Sequence, residues 1–191
     1  MPGHSPPTEK RFIELLEVGL AASLGALKPA ADRDSSRRAG TLDWTCWATV
    51  DHVTDCIFSY ALQVAGRVRG GWLKLNELNA RPEANPSELL DALAAVGQMF
   101  TAVLRDAPTD MISSDAYVDL RLADWVARAL NEILLHTHDV LAGLDEQFEP
   151  RRDVCSFVLS NPTLWMYDTV EDRNTTDPWS AMLAASGRSR A

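Results

Sequence analysis

An acidic residue and a histidine stand four positions apart inside a long apolar stretch, residues 125–144, which reads WVARALNEILLHTHDVLAGL. On an α-helix this spacing places Glu132 and His136 one above the other on the same face. The apolar residues of the stretch fall in an arc of roughly 140° that begins beside Glu132 and includes His136. The pattern therefore predicts a helix that carries both polar groups at the margin of its buried face.

The second histidine of the stretch points in a different direction. His138 lies about 160° from His136 around the helix, on the side of Asn131 and Asp124. We therefore expect His138 to face water and His136 to be the histidine that is placed for chemistry. The alternative is a buried pair of Glu132 and His136 that only satisfies its own hydrogen bonds, because buried polar groups need partners but not a function.

Composition excludes several classes of protein. The chain has 191 residues, a net charge of −9 and a sequence pI near 4.8. Nucleic acids and anionic membranes bind clustered lysine and arginine, so neither is expected as a partner. No run approaches the ~20 apolar residues of a membrane span, and residues 1–11 lack the apolar core and cleavage site of a signal peptide. We expect a cytoplasmic protein, and whether it forms a homodimer is left open.

Three cysteines, Cys46, Cys56 and Cys155, are an odd number without a C-x-x-C pair. This favours reduced thiols over a framework of disulfides.

Four long segments with apolar residues at helical spacing predict an all-α fold, specifically a four-helix bundle with short additional elements. Thr8 is the expected N-cap of the first helix, and Pro29 is expected to end it. The third has the clearest start, because Asn85 can cap it and Glu88 stands at the capping-box position. We divide the chain into a metal-binding bundle, residues 8–145, and a C-terminal extension that packs on it, residues 146–191. A last short helix is expected after Asp177.

The second predicted helix, residues 46–64, contains a further candidate ligand. His52 lies at the margin of its apolar side, and Cys56 follows one turn later. A bundle brings the inner margins of its helices together, and two imidazoles with one carboxylate would leave coordination positions for water and substrate. Cys56 has three open roles: a fourth ligand, a reacting thiol, or a small core residue, of which the last is the commonest.

Three short motifs carry a resemblance to a known family. Asp43-Trp44-Thr45 precedes a histidine eight residues after the tryptophan, and residues 132–139 match E-x-x-x-H-x-x-D. Residues 177–179 read D-P-W and are followed by Gly187-Arg188. In this order the motifs resemble the DinB-like, mycothiol-dependent maleylpyruvate isomerase superfamily. The resemblance implies a DinB-like bundle with a divalent metal, usually zinc, held by His52, Glu132 and His136.

The resemblance also implies a class of function. Members of the family transfer or use low-molecular-weight thiols such as mycothiol, isomerise thiol adducts, or hydrolyse amides. We expect a metal-dependent thiol transferase or isomerase that uses mycothiol as cosubstrate and acts on a small electrophilic substrate. The alternatives are a metal-dependent amide or ester hydrolase, which would turn over without thiol, and a bundle that binds a metal or ligand without chemistry.

Each of four other residues has two possible roles. Asp139, one turn after His136, is either a partner that orients the imidazole or, more commonly for such a position, an acid on the helix surface. Arg67, Arg69 and Arg81 are either contacts for an anionic substrate or, more commonly, solvated side chains.

Overall fold

The computed structural model describes residues 11–75, 77–116, 118–167 and 177–188. In these ranges the chain is mainly helical, which confirms the all-α expectation at the level of fold class. The helices are α1 (Arg11–Leu27), α2 (Cys46–Ala65), α3 (Pro86–Asp106), α4 (Leu122–Gly143), α5 (Arg152–Leu159) and α6 (Pro178–Ala185). Two short strands, β1 (Ile112–Ser114) and β2 (Asp119–Arg121), and the 3-10 turns Lys28–Ala30 and Trp165–Tyr167 complete the described elements.

The helix starts follow from their capping residues. The Thr45 side chain accepts a hydrogen bond from the Ala48 N–H at the start of α2. Asn85 and Glu88 form the predicted capping box of α3, and the Asp177 carboxylate accepts from the Ser180 N–H at the start of α6. Each cap satisfies an amide that the first helical turn leaves unpaired. Pro29 stands in the 3-10 turn that follows α1, whereas Thr8 lies outside the described residues.

The four long helices share one core. α1 packs against α3 and α4, and α2 packs against the same two helices. Their apolar sides supply fully buried side chains such as Leu16, Ile57, Phe100 and Leu130. Of the four, α4 is buried on most of its circumference, because α5 also packs on α4 and α1. This arrangement sets α2 beside α4, the two helices that carry the predicted ligands.

The segment after α4 continues the same packing. α6 contacts α5, and the turn Trp165–Tyr167 contacts α6. The described parts of residues 146–191 thus lie on the side of α4 that faces away from α2. The division into a bundle and an extension stays a prediction.

The connection between α3 and α4 contains β1 and β2, which pair antiparallel with Ile112 opposite Arg121. The described residues of 72–78 form neither helix nor strand. They run along α2, where the carboxylates of Asp55 and Asp51 accept the N–H groups of Leu78 and Ala80.

One described helix, α3, is long and apolar enough to cross a membrane by length and composition alone. Its buried residues, Leu89, Leu93 and Phe100 among them, face α1 and α2 in the shared core. Core helices of soluble proteins meet the same two criteria, so this single helix is weak evidence for a membrane span.

Candidate metal centre

The three predicted ligands meet between α2 and α4. The Glu132 Oε2 atom lies 3.3 Å from His136 Nε2 and 3.7 Å from His52 Nε2. The two imidazole rings are 5.3 Å apart between centroids and are nearly perpendicular. All three side chains are partly buried, and His52 is the most open to solvent. Glu132 on α4 thus lies between the two histidines, His136 of its own helix and His52 of α2.

These separations suit a metal ion. Nitrogen and oxygen ligands bind zinc at about 2.0–2.1 Å, which puts neighbouring donors of a tetrahedral site roughly 3.3 Å apart. The two distances from Glu132 Oε2 are close to that value. Without an ion, the 3.3 Å separation from His136 is within hydrogen-bond range, whereas the 3.7 Å separation from His52 is a longer charge contact. Among the described residues, however, the set whose ligand atoms all lie within 4.8 Å of one another is His52, Cys56 and Glu132. His136 is not in that set, and of its members His136 lies close to Glu132 alone.

Asp139 fixes the orientation of His136. Its Oδ2 atom lies 3.0 Å from His136 Nδ1, so the ring can donate Nδ1–H to the carboxylate. This hydrogen bond keeps a proton on Nδ1, so that Nε2 is the nitrogen that faces Glu132 and the one that can bind a metal once it has lost its own proton. Asp139 is only 2% exposed. The surface role that its position in the sequence favoured is wrong, and the orienting role fits its geometry.

Arg188 holds Asp139 from the other side. Its Nε and Nη2 atoms donate to Asp139 Oδ1 and Oδ2, each at 2.8 Å, in a two-pronged pairing. Such a pairing fixes both position and plane of a carboxylate. The Gly187-Arg188 motif had been noted in the sequence, but no role was assigned to the arginine. Only the fold shows that residue 188 returns to α4.

The electrostatics of the metal-free site follow from these contacts. Burial raises the pKa of Glu132, but the adjacent imidazoles of His136 and His52 outweigh it and lower the pKa to about 2. Burial lowers the pKa of His136, but the flanking carboxylates of Asp139 and Glu132 outweigh it and raise the pKa to about 9. In the same way His136 and Arg188 lower the pKa of Asp139 against its burial. Without metal, His136 is therefore an imidazolium between two carboxylates.

Cys56 lies next to His52, as its position one turn later predicts. The Cys56 Sγ atom is 3.5 Å from His52 Nε2, and ligand atoms of His52, Cys56 and Glu132 all lie within 4.8 Å of one another. Burial and the charges of Glu132, Asp55 and Glu77 raise the pKa of the thiol. Cys56 is therefore protonated in the metal-free protein and within reach of an ion.

Trp44 lies at the solvent side of the centre. Its ring is 4.7 Å from the His52 ring and 6.2 Å from the His136 ring between centroids, and 45% of the residue is exposed. The preceding loop is anchored against the end of α4, where Gly143 leaves no room for a Cβ beside the Arg38 carbonyl. An exposed indole beside two candidate ligands is a surface on which a substrate can pack.

The prediction for His138 is wrong. The side chain is not in water: the residue is 6% exposed, and its ring makes an edge contact with Trp179 at 5.7 Å. Asn131 was expected on the same solvent-exposed side of the helix. It is instead buried and accepts a hydrogen bond from the Tyr167 hydroxyl. The residues after α4 cover this side, and helical periodicity within α4 gives no information about them.

The three arginines proposed for an anionic substrate are not brought to the centre. Arg67 and Arg81 are exposed, and Arg69 forms an exposed ion pair with Asp119. Among the described residues, the arginine that is linked to the centre is Arg188, through Asp139.

Comparison with known proteins gives no match: no protein-family model, no curated protein and no solved structure is significantly similar to the chain.

Proposed function

We propose that the chain is a DinB-like, metal-dependent enzyme of the mycothiol-dependent maleylpyruvate isomerase superfamily. In this proposal it is a thiol transferase or isomerase that acts in the cytoplasm on a small electrophilic substrate. Its metal is a divalent ion such as zinc, and mycothiol is the cosubstrate. The observation that carries the proposal is the position of the partly exposed Glu132 carboxylate between His52 and His136, with the imidazole of His136 already oriented by Asp139.

The residues of the chain have separate tasks in this proposal. His52, Glu132 and His136 hold the ion, and three protein donors leave at least one position of a four-coordinate ion for a sulfur atom. A bound divalent cation lowers the pKa of a thiol beside it, so that the nucleophilic thiolate is present at neutral pH. Asp139 keeps the His136 ring in position, and Arg188 keeps Asp139 in position. Trp44 offers an apolar surface to the second substrate.

The test starts with the metal. The purified protein should contain about one equivalent of zinc or a similar ion per chain. In the cobalt-substituted protein, mycothiol should produce a sulfur-to-cobalt charge-transfer band in the near ultraviolet. The signal should weaken at low pH, where protons compete for the sulfur and for the ligand imidazoles.

Two results would contradict the proposal. A purified protein that neither contains nor binds a divalent ion would remove the metal from it. A cobalt spectrum unchanged by mycothiol, together with cleavage of an amide or ester without thiol, would favour the hydrolase instead.

A second candidate is a closed, non-catalytic metal site, and one observation favours it. The 3.5 Å separation between Cys56 Sγ and His52 Nε2 is close to the spacing of a sulfur and a nitrogen on one tetrahedral zinc. With Cys56 as fourth donor the ion would be fully coordinated by protein and would stabilise the fold only. The cobalt protein separates the two, because a closed site shows the sulfur band before any thiol is added.

A further inference from the structure

Large apolar side chains are exposed mainly in one short segment, the described residues of 72–78. Of the eight large apolar residues that the described chain exposes, four lie in this segment, with exposed fractions between 37 and 64%: Trp72, Leu73, Leu75 and Leu78. Single exposed apolar residues are common on protein surfaces, but a contiguous apolar patch of a few hundred Å² usually marks an interaction site. The clustering, rather than the exposure of any one residue, therefore indicates a surface that binds a partner.

The backbone of the segment is held on α2 at two points. The Leu73 N–H donates to Gln63 Oε1 at 3.0 Å, and the Leu78 N–H donates to Asp55 Oδ1 at 2.7 Å. Gln63 is buried and also donates to the Gly71 carbonyl. Because these hydrogen bonds already fix the segment, a partner that binds its apolar side chains pays little for ordering the backbone.

An open groove of about 340 Å³ runs between the segment and α2. One side of the groove is lined by Phe58, Ser59 and Leu62 of α2, and the other by Trp72, Leu73 and Leu75. Leu75 is the most exposed of these apolar residues, at 64%. The same surface thus offers a groove and, at its rim, an apolar side chain of a size that a groove can receive.

The charges of this surface are of both signs. Lys74 lies between Leu73 and Leu75, and Glu77 lines the groove three residues later. Both side chains are exposed, and neither forms an ion pair with another residue that the structure describes. A twofold axis places each residue of one copy opposite a different residue of the other copy, so Lys74 and Glu77 can pair across such an axis.

This combination favours a second copy of the chain over other partners. An anionic membrane or a nucleic acid is disfavoured by the net charge of −9 and by the carboxylates of Asp55 and Glu77 at the groove. A strongly basic partner would place a like charge opposite Lys74. A twofold contact instead requires one surface that is complementary to itself, and here the groove complements Leu75 and Glu77 complements Lys74.

We propose that the 72–78 segment and the adjoining groove on α2 form a twofold interface between two copies of the chain. Leu75 of each copy enters the groove of the other, and Lys74 of each copy pairs with Glu77 of the other. An apolar contact of a few hundred Å² per copy is at the small end of specific interfaces, so the dimer is reversible with a Kd in the micromolar range. The interface is independent of the metal and of the proposed chemistry.

Sedimentation equilibrium of the purified chain, from about 1 to about 100 µM, covers the expected Kd and measures self-association. Leu75→Ser should weaken the dimer by at least about tenfold, because it removes a side chain at the centre of the contact. Met99→Ser is the matched control, since Met99 is an exposed apolar residue on α3 that does not line the groove. It should leave the Kd unchanged. Circular dichroism checks that both variants fold.

Exchange of the charges tests the twofold pairing itself. Lys74→Glu and Glu77→Lys should each weaken self-association, because like charges then face each other across the axis. An equimolar mixture of the two variants should associate about as tightly as the wild type, since one copy then carries two glutamates and the other carries two lysines at the paired positions.

Three results would overturn the interface: a wild-type chain that stays monomeric at the highest concentration, a dimer whose Kd is unchanged in Leu75→Ser, or a mixture of the charge variants that associates no better than each alone. Metal content is measured on the same samples. Leu75 is not a candidate ligand, so Leu75→Ser should hold as much metal as the wild type, and the loss of the dimer leaves the proposed function to its own test.

Discussion

The two sides of α4 each carry a histidine, and the two histidines have different surroundings. On the side that faces α2, His136 lies next to His52 and Glu132, and its Nε2 atom is 3.3 Å from the Glu132 carboxylate. On the side covered by the residues after α4, His138 is enclosed and contacts Trp179. Two residues in sequence therefore separate a histidine with the surroundings of a metal ligand from one that fills the core.

The difference lies in how the polar groups are satisfied. Around His138 the neighbouring polar atoms bond within the fold, as Asn131 does with Tyr167. Around His136 the hydrogen bonds join titratable groups in a line from Arg188 through Asp139 to Glu132. A line of charged groups that ends at a partly exposed carboxylate shifts several pKa values together, and this is typical of functional sites.

Removing each histidine in turn gives the largest contrast. His136→Ala should lower metal affinity by more than about a hundredfold, because it deletes one of three ligands. His138→Ala should keep the metal and instead lose about 2–3 kcal/mol of stability, through the cavity left beside Trp179. Metal content and thermal unfolding of both purified variants check this. Equal loss of metal in the two variants would mean that the wrong side of α4 has been assigned.

Arg188 tests whether the line of charges matters beyond the ligands themselves. Arg188→Gln leaves the buried Asp139 with a weaker partner and should reduce metal affinity by about 10- to 100-fold, the usual range for a residue that orients a ligand. Arg33→Gln is the control, since its ion pair with Glu146 is exposed and should leave affinity unchanged. Competition with a chelator measures both. Wild-type affinity in Arg188→Gln would show that Asp139 holds His136 without help.

Much of this site could be predicted from local sequence, and the failures have a common cause. Spacing within one helix placed Glu132 with His136 and Cys56 with His52, because a helix repeats regularly over a few residues. The burial of His138 and the pairing of Arg188 with Asp139 both depend on how the residues after α4 pack back against that helix. That return is a long-range contact, and no periodicity within α4 encodes it. The caps at Asn85 and Asp177 were predicted correctly because they too are local.

The pH dependence of the metal-free protein sharpens the contrast further. The pKa of His136 is raised from 6.5 to about 9, so its contribution to stability is complete below pH 6.5 and is lost as pH rises through 9. The pKa of Glu132 is lowered from 4.5 to about 2, so its contribution is present above pH 4.5 and is lost as pH falls through 2. From these two groups, stability should be greatest between pH 4.5 and 6.5.

Thermal unfolding of the metal-free protein at several pH values measures this. Between pH 6.5 and 9 the Tm should fall by roughly 5 °C in the wild type. His136→Asn, which cannot titrate, should lack that decline. Zinc-loaded protein should lack it as well, because a bound ion has already displaced the proton from Nε2. A decline of the same size in His136→Asn would assign it to another group.

Cys56 is expected to give the smallest effect, and it decides between the two candidate sites. Its thiol must lose a proton to bind a metal, and burial together with Glu132, Asp55 and Glu77 raises its pKa. Two imidazoles and a carboxylate already supply three donors, so one position remains for a sulfur atom. A small-molecule thiol in solution has no carboxylates beside it and ionises more readily than the Cys56 thiol, so we expect it to be the fourth ligand. We expect Cys56→Ser to change metal affinity by less than about tenfold and the resting cobalt protein to lack a sulfur band.

Cys46→Ser is the matched control for Cys56→Ser, because Cys46 is buried at the start of the same helix and contacts the carbonyls of Arg38 and Val140. Both substitutions put a hydroxyl in place of a thiol, and only the one at position 56 lies beside His52. A resting sulfur band that disappears in Cys56→Ser but persists in Cys46→Ser would establish four protein donors. The centre would then be a closed structural site, and the partly open side of α4 would serve stability as its covered side does.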